Sequence, residues 1–131
     1  IFIADYNKGI VQLEPDSGAV TPVLQRVHLE RLKAANDLVF ASNGDLYFTD
    51  QGLTGLHDPT VRVFCLRDNG DVDCLLNNVP SPNGIILNPA ETMLHIYRGD
   101  AGHCRLARAT DAARTCCESA KLHSAIWRQW N

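Results

Sequence analysis

Asn36-Asp37-Leu38-Val39-Phe40 returns 47 residues further on as Asn83-Gly84-Ile85-Ile86-Leu87, and this repetition decides the fold. Asp5 and Asp50, 45 residues apart, mark nearly the same interval. Each is followed by a loop, a strand-like run, a polar turn and a second run, over residues 10–24 and again over 61–79. The runs are short, β-branched or aromatic, and separated at close intervals by turn chemistry, as antiparallel strands are. A period of this length made only of such strands lies between the roughly 40–45 and roughly 50 residues of two known propeller repeats. A closed ring takes about four to eight blades, and 131 residues hold fewer than three periods. The expected fold is therefore all-β, an incomplete β-propeller of about two to three blades of antiparallel strands. An ordinary sandwich whose hairpins resemble one another by chance is the alternative.

Outward from the repeat, residues 37–42 and 45–50 flank Asn43-Gly44, and residues 61–66 and 72–76 flank Asn69-Gly70. Asn-Gly is the favoured two-residue hairpin connection, because a type I′ turn needs positive φ at both central positions. If Asn69-Gly70 is such a turn, Cys65 and Cys74 stand directly opposite as a non-hydrogen-bonded pair, at a Cα spacing of about 4.5 Å that a disulfide can bridge. The chain carries no secreted-protein signature, which favours two free thiols instead. A further hairpin joins residues 84–87 to 93–97 through 88–91, residues 51–60 read as a loop, and residues 27–35 hold a helical turn or two.

Composition is that of an ordinary globular domain, 45% hydrophobic and 21% charged. No apolar run approaches the about 18 residues of a membrane-crossing helix, and a net charge of -3 supplies no basic field for nucleic acid. The charge is uneven: residues 1–97 carry 6 Lys and Arg against 12 Asp and Glu, whereas residues 98–131 carry 6 against 3. The latter segment also holds both tryptophans and three of the five cysteines. We expect residues 1–97 to form the partial propeller and 98–131 to be a divergent tail. That tail is either a helix, with Leu122, Ile126 and Trp130 on one face covering an exposed blade edge, or the product of a reading-frame slip. The chain opens directly into a strand, as a sequence that begins mid-protein does, and with no targeting segment visible the localisation is cytoplasmic only by default. Partial rings leave strand edges and blade flanks uncovered, which favours self-association.

In a propeller the innermost strands line a central channel, so Asn36 and Asn83, equivalent by the 47-residue offset, converge on one axis. Two amides there can offer carbonyl oxygens to a hard divalent cation. Each Asn alone is also an ordinary turn residue before a strand. The five histidines show no zinc spacing, residues 68–73 lack the twelve-residue calcium-loop pattern, and no nucleophile elbow, phosphate loop or dinucleotide fingerprint is present.

These residues resemble the gluconolactonase and regucalcin-like six-bladed propellers, the senescence-marker-protein family. The likeness rests on Asn36-Asp37-Leu38-Val39-Phe40, Gly44-Asp45-Leu46-Tyr47-Phe48-Thr49-Asp50, Arg62-Val63-Phe64 and Pro82-Asn83-Gly84-Ile85, and it covers about residues 1–94. The resemblance implies a metal-dependent lactone hydrolase acting on sugar lactones, with a divalent cation (Ca, Mg or Zn) in the channel. Of the family's three ligands, a Glu, an Asn and an Asp, only the Asn maps, onto Asn83. By the same resemblance Asn36 is substrate-binding. The early Glu would precede Ile1 and the later Asp would fall about one period beyond Asn83, so neither role passes to Glu14 or Asp111, and no catalytic residue is assigned. The alternative function is a non-catalytic propeller piece that binds another protein chain.

Overall fold

The computed structural model describes residues 1–52, 61–77, 79, 81–98 and 104–108. In chain order the strands are β1 (Phe2–Asp5), β2 (Gly9–Leu13), β3 (Val20–Leu24), β4 (Arg26–Val27), β5 (Glu30–Arg31), β6 (Ala35–Phe40), β7 (Leu46–Asp50), β8 (Arg62–Leu66), β9 (Val72–Leu76), β10 (Pro82–Leu87), β11 (Met93–Arg98) and β12 (Cys104–Arg108). No helix occurs among the described residues. Every pairing is antiparallel between neighbours in sequence, giving sheets β1-β2-β3, β6-β7-β8-β9 and β10-β11-β12, plus the small hairpin β4-β5.

The four-stranded sheet is one whole blade, with β6 innermost. β10 packs on β6 and β7, and β1 packs on β6. The same step from blade to blade therefore puts β10 in the place of β6, and β1 in the place of β7. The first sheet thus carries the second to fourth strands of a blade and the last sheet carries the first to third. This is an incomplete propeller, as the repeat predicts, with inner strands β6 and β10 side by side.

All five residues of β7 are buried, so both of its faces must pack. Period-2 alternation divides them. Leu46 and Phe48 join Ile10, Val27, Ala35 and Phe64 in the core against the first sheet, while Tyr47 joins Val63, Cys65, Leu75, Ile85, Leu94 and Ile96 in the core against the last. Phe48 and Phe64 stack at 5.4 Å between centroids, and the Arg62 guanidinium lies 5.0 Å from the Phe64 ring. The arc ends differently: Ile86 and Tyr97 of the last sheet are 61% and 53% exposed, and Phe2, Ile3, Val20 and Val23 of the first are exposed as well.

The two Asn-Gly turns correct the sequence reading. Ala41 N bonds Asp45 O at 2.9 Å and Gly44 N bonds Ala41 O at 3.1 Å; the second hairpin repeats this with Arg67 N to Asp71 O and Gly70 N to Arg67 O. Gly44 and Gly70 have φ of 91° and 93°, whereas Asn43 and Asn69 are not among the residues of positive φ. These are three-residue loops, a type I turn closed by a glycine bulge, rather than type I′ pairs. Asn43 and Asn69 stabilise them instead through their side chains, each accepting the amide of the Asp two residues on, at 3.1 and 3.0 Å. The extra loop residue shifts the register by one. Cys65 pairs with Asp73, and Cys74 with Phe64. A one-residue shift sends a side chain to the other face, so Cys65 lies in the core against the last sheet while Cys74 packs on the other one. Cys65 and Cys74 are not joined in a disulfide.

Asp45 clasps the two turns: its carboxylate accepts from Arg67 Nη1 at 2.9 Å, from Asp68 N at 3.2 Å and from Asn43 Nδ2 at 3.0 Å. Arg67 also bonds Asp73 at 2.7 Å. The turn expected at 88–91 is present, capped by Asn88 Oδ1, which accepts from Thr92 N and Met93 N. The helical turn expected at 27–35 is instead the β4-β5 hairpin, reversed at His28 with φ of 54°. β12 pairs along β11 from Met93↔Arg108 to Tyr97↔Cys104, so the last sheet runs beyond residue 97, where the sequence reading ends the propeller. The helix expected at Leu122, Ile126 and Trp130 lies outside the described residues.

Two tests follow from this geometry. Burial pushes the Asp45 carboxyl up, but the Arg67, Asn43 and Asp68 hydrogen bonds outweigh it and hold the group below its ordinary 3.8. A depressed carboxyl contributes stability above its ordinary value and loses that contribution as pH falls through the folded value. Denaturant titrations from pH 5 downward should show Asp45→Asn with a flatter acid limb than the unsubstituted protein, and identical limbs refute the clasp. Burial likewise pushes the Cys65 thiol up to about 11. Alkylation of native protein near neutral pH, followed by peptide mapping, should therefore label the half-buried Cys74 well before Cys65, and a 65–74 bridged peptide would contradict the register.

Candidate functional site

The two inner strands begin with the same irregularity. In β6 the register jumps from Ala35↔Asp50 to Leu38↔Phe48, and in β10 from Pro82↔Arg98 to Ile85↔Ile96. Asn36 and Asn83 occupy the same place in these two bulges, as the 47-residue offset requires. The second strands are offset by 48 instead, Phe48 matching Ile96, because the pair Leu87↔Leu94 encloses one residue more than the pair Phe40↔Leu46.

A bulge withdraws backbone groups from the ladder, and in a buried setting they need other partners. Thr49, wholly buried, supplies them: its Oγ1 accepts from Asp37 N at 3.1 Å and donates to Asn83 O at 2.7 Å. Asp37 works from the other strand. Its Oδ1 accepts from Leu38 N at 2.9 Å and its Oδ2 accepts from Ile85 N at 2.8 Å. The side chains of Asp37 and Thr49 thereby tie β10 to β6 and β7.

Asn36 is exposed, and its Nδ2 donates to Gln51 Oε1 at 2.7 Å. Gln51 Nε2 in turn donates to Ser81 Oγ at 3.1 Å, and Ser81 is buried with φ of 46°. Asn83 is half-buried; it is held through its backbone carbonyl, and its carboxamide takes no hydrogen bond from the described side chains. The structure therefore brings the strands of the two sequence-predicted residues together, while the carboxamides do not bond to one another. Asp50, the partner of Ala35, accepts from Ala34 N at 2.7 Å and from Arg62 Nη2 at 3.2 Å, and Arg62 also pairs with Glu30 at 2.6 Å. These contacts tie β7 and β8 to the β4-β5 hairpin and to the residue before β6.

Sequence reasoning did not single out Asp37, Thr49, Gln51 or Ser81 as site residues. The available signal was polarity at the end of an apolar run: Thr49 and Asp50 follow Leu46, Tyr47 and Phe48 in one strand.

Among the described residues no three of His, Cys, Asp and Glu gather as a metal cage. The inner-strand groups are amide and carboxylate oxygens, the donors that hard cations take. Asn83 thus fits one position of an oxygen donor set. Two surface cavities, one lined by His28, Arg62, Phe64 and Cys74 and the other by Glu30, Lys33 and Asn77, lie beside the β4-β5 hairpin and include neither Asn36 nor Asn83.

Comparison with known proteins agrees with this architecture. The SMP-30/Gluconolactonase/LRE-like region matches residues 1–113. A gluconolactonase of Zymomonas mobilis is 31% identical over 109 residues, covering 76% of this chain and 31% of that protein. Protein STRICTOSIDINE SYNTHASE-LIKE 13 of Arabidopsis thaliana is 27% identical over 121 residues, covering 82% and 29%. The structure of a gluconolactonase from Xanthomonas campestris superposes with a TM-score of 0.64 at 23% identity over 80% of this chain and 38% of that one, a likeness of fold. The chain spans about a third of the length of the relatives it matches. With two bulged inner strands presenting Asn at equivalent places, and a match that runs through nearly all of the sequence, the chain belongs to the SMP-30/gluconolactonase/LRE-like family.

Proposed function

We propose that this chain is part of a lactone hydrolase acting on sugar lactones, with Asn83 a ligand of a divalent cation and Asn36 facing the substrate. The observation that carries the reading is the state of Asn83. Its peptide is anchored by Thr49 while its carboxamide takes no hydrogen bond from the described side chains. The family membership supplies the reaction class.

A cation bound there supplies Lewis acidity, which polarises a carbonyl oxygen toward attack by water. The chain's own residues orient and hold. Asn83 offers an amide oxygen from a rigid bulge. Asn36, with its Nδ2 engaged by Gln51, keeps its carbonyl oxygen to accept from a sugar hydroxyl. Gln51 and Ser81 keep Asn36 in one orientation, and preorganised groups of this kind lose little freedom when substrate arrives. An amide oxygen is a weaker ligand than a carboxylate, so the cage requires carboxylates in addition to Asn83.

The second reading, a non-catalytic propeller piece that binds another chain, draws on the exposed Ile86 and Tyr97 at one end of the arc. Calorimetric titration of the full-length protein with Ca²⁺, Mg²⁺ and Zn²⁺, followed by a sugar-lactone hydrolysis assay, separates the two. The first reading expects cation binding, turnover above buffer, and loss of both in Asn83→Ala. It also expects Asn36→Ala to raise KM with cation affinity unchanged. Absence of both cation binding and turnover favours the second reading, and undiminished affinity in Asn83→Ala removes the ligand assignment.

A further inference from the structure

We infer that Asp37 and Thr49 are positioning residues for Asn83, gripping the two peptide units that follow it and so setting where its carboxamide stands. The inference rests on the reading of Asn83 as a cation ligand.

The grip follows from the bulge. Residues 83 and 84 stand outside the β10 ladder, between the pairs Pro82↔Arg98 and Ile85↔Ile96. Gly84 has no side chain to restrict its backbone. The direction of the Asn83 side chain is then set by whatever holds the peptide units that follow it. Two groups do so: the Thr49 hydroxyl takes the Asn83 carbonyl at 2.7 Å, and the Asp37 carboxylate takes the Ile85 amide at 2.8 Å. The Thr49 hydroxyl is committed in both senses, because it also accepts from Asp37 N at 3.1 Å. It is wholly buried, and β-branching leaves its χ1 little freedom.

This is not a device that every blade boundary uses. β1 stands to β6 as β7 stands to β10, and the position on β1 that matches Thr49 is Ala4, one residue before Asp5 as Thr49 is one before Asp50. Alanine has no hydroxyl to offer the Asn36 carbonyl. The Thr49 hydroxyl reaches the Asn36 bulge at the Asp37 amide, and the Asn36 side chain is held by Gln51. Among the described residues, a hydroxyl anchor on the carbonyl of the Asn itself is therefore particular to Asn83, whose carboxamide takes no hydrogen bond from the described side chains.

The test compares Thr49→Val, which keeps the shape and removes the hydroxyl, with Thr49→Ser, which keeps the hydroxyl, in the full-length protein. Phe48→Leu, on the opposite face of the same strand, serves as a variant that loses stability without touching either anchor. Side-chain amide relaxation by NMR without cation reads the order of the Asn83 carboxamide, and calorimetry with Ca²⁺ reads affinity. Thr49→Val should loosen the carboxamide and weaken Ca²⁺ binding by about 10- to 100-fold, the usual effect of removing a group that orients a ligand. Thr49→Ser and Phe48→Leu should leave both readouts at the unsubstituted values. If Thr49→Val does not fold, amide exchange at Ile85 in the unsubstituted protein decides, since rapid exchange refutes the Asp37 anchor and protection supports it. Undiminished carboxamide order in Thr49→Val overturns the inference. Unchanged affinity in Asn83→Ala overturns the ligand reading instead, and the order measurement still decides the anchoring.

Discussion

β7 has no solvent side. Its five residues are all buried, and the strand has to satisfy a neighbouring sheet on each face at once. Leu46 and Phe48 go to the first sheet and Tyr47 to the last, so one run of five residues joins three sheets into an arc. Burying a side chain the size of Phe48 is worth roughly 1.5–3 kcal/mol, and the period-2 alternation places such groups on both faces. The polar members of the strand are then confined to partners inside the protein. Thr49 finds backbone groups of both inner strands, and Asp50 finds the Ala34 amide and Arg62. Packing and site geometry are therefore two results of the same constraint.

The bulges at the start of β6 and β10 show how a repeated scaffold acquires a particular site. Both strands interrupt their ladders at the same place and both put Asn there. What differs is how the freed backbone is held. The Thr49 hydroxyl and the Asp37 carboxylate take the Asn83 carbonyl and the Ile85 amide in one bulge and the Asp37 and Leu38 amides in the other, where Gln51 also holds the Asn36 side chain. The same break in register thus leaves one carboxamide engaged by Gln51 and the other without a hydrogen bond from the described side chains.

The turns show the reverse case, in which near-identical sequences impose the same structure twice. Ser42-Asn43-Gly44-Asp45 and Asp68-Asn69-Gly70-Asp71 form the same glycine-closed loop, with the same Asn-to-Asp hydrogen bonds. The dipeptide Asn-Gly is compatible with more than one turn. The Asp that follows it contributes here, since its amide donates to the Asn side chain and its carboxylate accepts from the Asn side-chain amide. That preference sets the loop length, the loop length sets the register, and the register puts Cys65 and Cys74 on opposite faces. Glu91 adds a link between turns of successive blades, its carboxylate accepting from Ser42 N at 3.0 Å and Ser42 Oγ at 2.7 Å.

Much of this was legible in the amino-acid order. The offset of 47 residues, the alternating runs and the Asn-Gly hairpins suffice for an all-β arc of repeated blades, because strand periodicity and turn chemistry are local properties. They also suffice to mark Asn36 and Asn83 as equivalent, since a repeat maps position onto position. The grip of Asp37 and Thr49 on β10 needed the tertiary structure, because it joins residues 48 and 34 positions apart across a blade boundary. So did the hairpin at 26–31 in place of a helical turn, and the strand at 104–108, where no alternation announces pairing with β11. Local sequence states what a segment prefers, but a bulge, a register and a shared hydrogen bond depend on which other segment comes to lie beside it.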